Sequence, residues 1–241
     1  MKLHQIPYKV AKKTADHLFW MVGFDRISRA RITRRGELRE IGSKYGGWVV
    51  PADLFDERSI CYCVGCGEDI SFDLGLVEQF GCDVYGFDPT PRAVAHVKQV
   101  ARDLSKYHFH EVGLWDRKDT LKFYAPRVAE HVSHSLLNLQ KTDEYITVPV
   151  DRLKHVMADL GHERLDLLKL DIEGAEYKVI ESVLEDRIDI RVLCIEYDEC
   201  FNPLDRHYKS RIRESVHRLM ANGYALVHTQ GSGNYTFIRE T

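Results

Sequence analysis

The sequence predicts an α/β fold: a mostly parallel seven-stranded sheet covered by helices and ending in an antiparallel hairpin. Three observations carry this. After residue 50, short apolar runs alternate with amphipathic stretches, the pattern of a parallel sheet between helices. A glycine-containing turn, Val64-Gly65-Cys66-Gly67-Glu68-Asp69, stands between the first apolar run and the first amphipathic stretch. The last two runs, Tyr224 to His228 and Asn234 to Ile238, are joined through Gln230-Gly231-Ser232-Gly233. That junction is too short to hold a crossover helix, so these two strands must be antiparallel.

The elements follow in order. Ile60 to Val64 reads as a buried strand, and Ile70, Leu74, Val77 and Phe80 recur at helical spacing until Gly81 supplies a stop. Asp83 to Phe87 is the next strand. Thr90 is placed to cap a helix starting at Pro91, with Ala93, Val94, Val97 and Val100 as its apolar face. His108 to Val112 reads as a third strand. Leu121 to Tyr124 and Tyr145 to Val150 are strand-like pieces of an irregular insertion over about 121–147, around His131-Val132-Ser133-His134-Ser135. Regularity returns with a helix from about Asp151 to Leu160, a strand Leu165 to Leu170, and a helix after Gly174. A strand Arg191 to Tyr197 and a helix ending at Asn222-Gly223 precede the hairpin.

The 241 residues are 44% hydrophobic and 29% charged, with 34 Lys and Arg against 37 Asp and Glu for a formal net charge of -3, an ordinary globular composition. The longest apolar stretch, Leu18 to Phe24, falls far short of the roughly 20 residues that cross a bilayer, and no small-residue cleavage site follows it. A cytoplasmic protein is expected. The six cysteines, 61, 63, 66, 82, 194 and 200, are expected as reduced thiols. Cys63-x-x-Cys66 has metal or redox spacing, but no second pair completes a site, and small buried side chains are the plainer reading. Charge is uneven: residues 1–47 hold eleven Lys and Arg against four Asp and Glu, a net of +7. This basic helical extension is read as a lid, a homodimer contact or a clamp for an anionic substrate, ahead of a domain spanning 48–241.

Two constellations carry chemistry. In the glycine turn, Gly65, Cys66 and Gly67 allow a close backbone approach to a ligand at a helix N-terminus, and Asp88, 21 residues beyond Gly67, is placed to accept ribose hydroxyls. Ile70 stands where a dinucleotide fingerprint needs a third small residue. Glu68 and Asp69 would repel a diphosphate yet suit the cationic amino acid end of S-adenosylmethionine. In the second constellation, Leu167-Leu168-Lys169-Leu170-Asp171-Ile172-Glu173-Gly174-Ala175-Glu176, a strand delivers Asp171 and Glu173 to its C-terminal end. Glu196 and Asp198 arrive at the end of the neighbouring strand. Ligands of open α/β sheets bind at that edge.

With these motifs the chain resembles the FkbM-type family of class I S-adenosylmethionine-dependent methyltransferases, over roughly residues 60–240. The matching pieces are the glycine turn, Phe87-Asp88-Pro89, Val148-Pro149-Val150-Asp151-Arg152-Leu153 and Leu168-Lys169-Leu170-Asp171-Ile172-Glu173-Gly174-Ala175-Glu176. The family usually reads Asp-Val-Gly-Ala-Asn in the first turn. Here Cys63 and Cys66 replace the Asp and the Ala, and Glu68 and Asp69 are expected to compensate. The resemblance implies a Rossmann-like domain whose cofactor lies on Gly65, Cys66, Gly67, Glu68, Asp69, Asp88, Pro89 and Asp171. It also implies adenine on Gly113 and Leu114, with Asp116 at the purine edge.

The expected reaction is methyl transfer to a hydroxyl of a sugar, glycan or related polyhydroxylated small molecule. His134 or Glu173 is the expected base beside Asp171. Substrate contacts are expected from Tyr45, Trp48, Ser133, His134, Glu173, Glu176, Glu196, Tyr197 and Asp198. The alternative to a protein base is a magnesium ion on Asp171, Glu173 and Glu196. Three competing readings stay open: N-methylation of nucleic acid, an NAD-dependent oxidoreductase, and a non-catalytic nucleoside-binding module. An acidic body argues against a nucleic-acid partner.

Overall fold

The computed structural model describes residues 23–33, 35, 37–126, 136, 138, 141–231 and 233–240. Its strands are β1 (Leu38–Ile41), β2 (Trp48–Pro51), β3 (Ile60–Val64), β4 (Asp83–Phe87), β5 (Tyr107–His110), β6 (Gly113–Trp115), β7 (Asp119–Tyr124), β8 (Tyr145–Arg152), β9 (Arg164–Leu170), β10 (Asp189–Glu196), β11 (Tyr224–Gln230) and β12 (Asn234–Arg239). The α-helices are α1 (Ser71–Phe80), α2 (Pro91–Val100), α3 (Leu153–Leu160), α4 (Glu176–Glu185) and α5 (Tyr208–Ala221).

Seven strands form the main sheet in the order β11-β12-β10-β9-β3-β4-β5. The five from β10 to β5 are parallel, and β12 enters antiparallel between β10 and β11. This is the Rossmann-like arrangement the sequence predicts, hairpin included. Because side chains alternate across a strand, each inner strand feeds two cores. Leu168, Leu170, Leu193 and Ile195 face one way, onto Val179 and Ile180 of α4 and Ile212 and Val216 of α5. Leu167, Val192, Cys61 and Cys63 face the other, onto Phe72 and Leu76 of α1 and Val97 of α2.

Three boundaries differ from the sequence reading, each for a pairing reason. β5 stops at His110, and Gly113–Trp115 leaves the main sheet to pair parallel with Val150–Arg152 of β8. That pairing holds Asp151 and Arg152 as strand, so α3 starts at Leu153 rather than 151. The insertion is built on β7 paired antiparallel to β8, which with β6 makes a separate three-stranded sheet. Thr90 precedes α2, but its hydroxyl donates to Asp88 at 2.7 Å instead of capping the helix.

Residues 1–22, 34 and 36 of the expected basic helical extension lie outside the described residues. The described part of 23–47 carries a bridge between Phe24 and Arg31 and the strand β1, which pairs antiparallel with β2. It packs onto the domain: Ala30 and Ile32 are buried in the core beside α5, Thr33 N–H donates to the Leu226 carbonyl at 2.7 Å, and Tyr235 donates to Asp25 at 3.0 Å. Among the described residues no helix is long and apolar enough to cross a membrane.

Candidate active site

A cleft of about 200 Å³ opens at the C-terminal ends of β3, β4, β9 and β10. Its first wall is the glycine turn. Gly65 has φ +86°, and a Cβ there would lie 1.7 Å from the Asp171 carbonyl oxygen, so the turn and the β9 end approach as closely as only glycine permits. Backbone hydrogen bonds fasten it, Gly65 N–H to the Phe87 carbonyl at 2.9 Å and Asp171 N–H to the Val64 carbonyl at 3.1 Å. Phe87, Pro89, Leu114 and Phe123 supply an apolar slot beside the turn.

Asp88 sits at the end of β4 as expected, but its carboxylate is engaged by the protein. Oδ2 accepts from the N–H groups of Cys66 (3.1 Å) and Gly67 (3.0 Å), and Oδ1 accepts from the N–H (2.9 Å) and hydroxyl (2.7 Å) of Thr90. Those four bonds fill the acceptor positions of a carboxylate. Asp88 therefore braces the glycine turn in this structure, where the sequence suggested a ribose acceptor.

The charge at the turn is also arranged differently. Glu68 forms a two-point pair with Arg92 (3.1 and 2.9 Å). Asp69 accepts from the hydroxyl of Ser43 (2.5 Å) and the N–H of Ser71 (2.9 Å). Burial pushes its carboxyl upward, yet these hydrogen bonds outweigh that and hold it below its ordinary value. A further carboxylate lies beside Cys63: Asp73 of α1, 2% exposed and reached by the Tyr107 hydroxyl at 3.1 Å.

Asp73 feels the charge of Lys169, the lysine buried in β9. The Lys169 ammonium donates to the Gly65 carbonyl at 2.7 Å and lies 3.2 Å from Asp171 Oδ2. Burial alone would strip its proton, but Asp171 and Asp73 together hold it charged and its pKa above the ordinary lysine value. Sequence reasoning quoted Lys169 without giving it a role and missed Asp73. The available signals were a cation inside an apolar strand and an acid on the helix face of Ile70 and Val77.

The second wall is acidic. Asp171, Glu173, Glu196 and Asp198 all line the cleft. Glu173 is a non-glycine residue at φ +51°, followed by Gly174 at +102°, a strained pair that aims the backbone around the β9 end. Glu196 is raised to about 8, first by burial and then by Asp171 and Glu173, against the pull of Lys169. Burial raises Glu176 to about 7, and burial with Glu176 and Glu173 pushes Asp198 well above the carboxylate range.

The ten residues expected at the cofactor, from Gly65 to Asp171, all line the cleft, and so do Tyr45 and Trp48. Two expected substrate contacts do not reach it. Glu176 is fully buried, accepting from Gly174 N–H at 2.8 Å. Tyr197 is core: it has no exposure, donates to Ser215 at 2.9 Å and packs on Tyr177 and Tyr235, because alternation turns it away from the face that Glu196 presents. Asp116 pairs with Arg117 at 3.0 Å outside the cleft lining. Ser133 and His134, with the base expected at His134, lie outside the described residues.

The cysteines are free thiols as read from the sequence; Cys61, Cys63, Cys66, Cys82 and Cys194 are buried. Among the described residues no group of three or more His, Cys, Asp and Glu side chains converges to hold a metal. The Lys169 ammonium sits beside Asp171 where a cation would go, so Asp171, Glu173 and Glu196 do not fit a magnesium site.

The family model described as the methyltransferase FkbM domain matches residues 65–220, more than half of the chain and the stretch from the glycine turn to α5. The chain belongs to the FkbM methyltransferase family. This FkbM domain is 25% identical over 193 residues to a probable methyltransferase-like protein 24 of Rattus norvegicus, covering 76% of this chain and 47% of that protein. The human protein of the same name is 31% identical over 132 residues, 53% of this chain and 29% of its own length. The 2-O-methyltransferase NoeI of Sinorhizobium fredii is 24% identical over 150 residues, 56% and 62% of the two chains. The FkbM chain thus spans less than two thirds of each of these relatives.

Proposed function

We propose that this FkbM domain transfers the methyl group of S-adenosylmethionine to a hydroxyl oxygen of a sugar, glycan or related polyhydroxylated metabolite. The observation that carries the reading is the facing of the glycine turn and the carboxylates of Asp171, Glu173 and Glu196 across one cleft. The likeness to a protein named a 2-O-methyltransferase supports the choice of oxygen.

The lining fits the cofactor: a turn that admits close backbone approach, an apolar slot for a flat base, and an excess of carboxylates for a molecule carrying a sulfonium and an ammonium. When bound, S-adenosylmethionine supplies a methyl on a good leaving group. The protein's own work is then to orient the acceptor, which can supply several kcal/mol, and to take its proton, worth about 10²–10⁴-fold. We assign the base to Glu196. It stands at the cleft on the β10 end, and a carboxyl raised to about 8 is, once deprotonated, a far stronger base than an ordinary one. Lys169 pairs with Asp171 and ties it to the glycine turn through the Gly65 carbonyl. Phosphate-rich acceptors, nucleic acids included, meet like charge along this wall.

Residues 1–47 are proposed as a lid or self-contact, since their described part ends at the cleft in Tyr45 and Gly46. Removing residues 1–22 while leaving the packed 23–47 tests that role through turnover and oligomeric state. Calorimetry with S-adenosylmethionine, followed by mass spectrometry of products from a hydroxylated acceptor panel, tests the main proposal. No detectable cofactor binding would sink it.

A further inference from the structure

The glycine turn is braced by Asp88 on its backbone and by an edge strand through its Cys66 side chain. Cys66 N–H donates to Asp88 at 3.1 Å, while the Cys66 thiol lies 3.6 Å from the hydroxyl of Tyr107. Tyr107 opens β5, the edge strand of the main sheet, and β4 stands between it and the turn-bearing β3. The same hydroxyl donates to Asp73 Oδ2 at 3.1 Å. Gly86 of β4 provides the passage: a Cβ there would lie 2.2 Å from the Tyr107 hydroxyl oxygen, 2.8 Å from Cζ and 3.1 Å from Cys66 Sγ. Gly86 is not one of the left-handed glycines, so the position asks for space and not for backbone freedom.

Tyr107 is 7% exposed and Asp73 2%, and neither lines the cleft. Burial and the Asp73 charge push the phenol far above its ordinary value, so the hydroxyl remains a donor across neutral pH. Both residues of the turn that face β9 and β4 are tied to this buried group. The Gly65 carbonyl accepts from Lys169 at 2.7 Å, whose charge acts on Asp73, and Cys66 meets the Tyr107 hydroxyl. Resting on S-adenosylmethionine as the cofactor, we infer that Tyr107 is a positioning residue for it: the hydroxyl, passing Gly86, fixes Cys66 and orients Asp73, and so sets the turn against which the cofactor lies. Tyr107 touches neither cofactor nor acceptor and acts through Cys66 and Asp73.

Tyr107→Phe keeps the ring and deletes only the hydroxyl. Calorimetry on the full chain should find S-adenosylmethionine and S-adenosylhomocysteine both bound at least about fivefold more weakly, within the roughly tenfold that a hydrogen bond to a charged group is worth. Tyr224→Phe is the control for a purely structural hydroxyl. Tyr224 is 3% exposed and donates to the Ile190 carbonyl at 3.2 Å, near the end of β10 remote from the cleft. Its loss should lower Tm about as far as Tyr107→Phe does and leave both affinities within about twofold. If Tyr107→Phe does not fold, Gly86→Ala, whose methyl displaces the hydroxyl, should show the same loss of affinity. Unchanged affinity in the variant, or an equal loss in Tyr224→Phe, overturns the positioning role. A parent protein that binds neither compound overturns the cofactor reading and the proposal with it.

Discussion

Lys169 ties the glycine turn to the end of β9, and replacing it by methionine isolates that role. Lys169→Met keeps the length and removes the charge. It deletes the hydrogen bond to the Gly65 carbonyl and the 3.2 Å ion pair with Asp171, and it removes the charge that acts on Asp73, which is 2% exposed. Breaking a buried pair by removing one partner costs about 3–5 kcal/mol. For a domain of this size, about 2–4 °C per kcal/mol converts that into a fall in Tm of roughly 6–20 °C.

The loss has a pH signature. Burial already raises the Asp73 carboxyl, against the pull of Lys169, and without the lysine it rises further. A carboxyl raised in the folded state binds more protons than its unfolded counterpart. Its contribution is therefore present below the ordinary carboxylate pKa and is lost as pH rises through the folded value. The deficit should thus be smallest near pH 5 and grow toward pH 8. Asp73→Asn in the same chain removes the unpaired charge, and should return about 1–3 kcal/mol and flatten the pH dependence. Thermal unfolding followed by circular dichroism at both pH values reads all of this. A fall below about 3 °C, a pH-independent deficit, or a double variant no better than the single would refute the pairing argument.

Three further outcomes follow from the acidic wall. Glu196→Gln should lower kcat by about 10²–10⁴-fold with cofactor affinity within threefold, and should abolish the rise of kcat with pH through about 8 expected of a base that must be deprotonated; pH profiles of both proteins check this. Glu173→Gly should relieve the left-handed strain and stabilise by about 1 kcal/mol while activity falls, measured by calorimetric unfolding and turnover. Glu176 is raised to about 7, chiefly by burial, so its contribution is present at acid pH and lost as pH rises through 7. Denaturant titrations should find Glu176→Gln more stable than the parent above pH 7 and not below pH 5.

Periodicity sufficed for the scaffold because strand and helix repeats are local properties of the chain. The seven sheet strands and the terminal hairpin were legible from apolar runs and turn residues. So was the gathering of Gly65, Asp88, Asp171, Glu173 and Glu196 at one edge, since chain order puts each at a strand's C-terminal end. What sequence could not supply was partnership. Asp88 was legible as a carboxylate at the right place, but that its oxygens are filled by Cys66, Gly67 and Thr90 depends on how tightly the turn closes over β4. Tyr197 and Glu196 are neighbours in the chain and opposites in the fold, one in the core and one at the cleft.

The replacement of the family's strand aspartate by Cys63 shows the division most plainly. The sequence alone established that a carboxylate was missing there and pointed to Glu68 and Asp69, the nearest acids along the chain. Packing brings a third acid to Cys63. α1 lies across the sheet and buries Asp73, ten residues from Cys63, within reach of the Lys169 charge, while Glu68 and Asp69 line the cleft engaged by Arg92 and Ser43. A buried ammonium requires counter-charge: Asp171 supplies it at 3.2 Å from two residues along the chain, and Asp73 adds to it through the core.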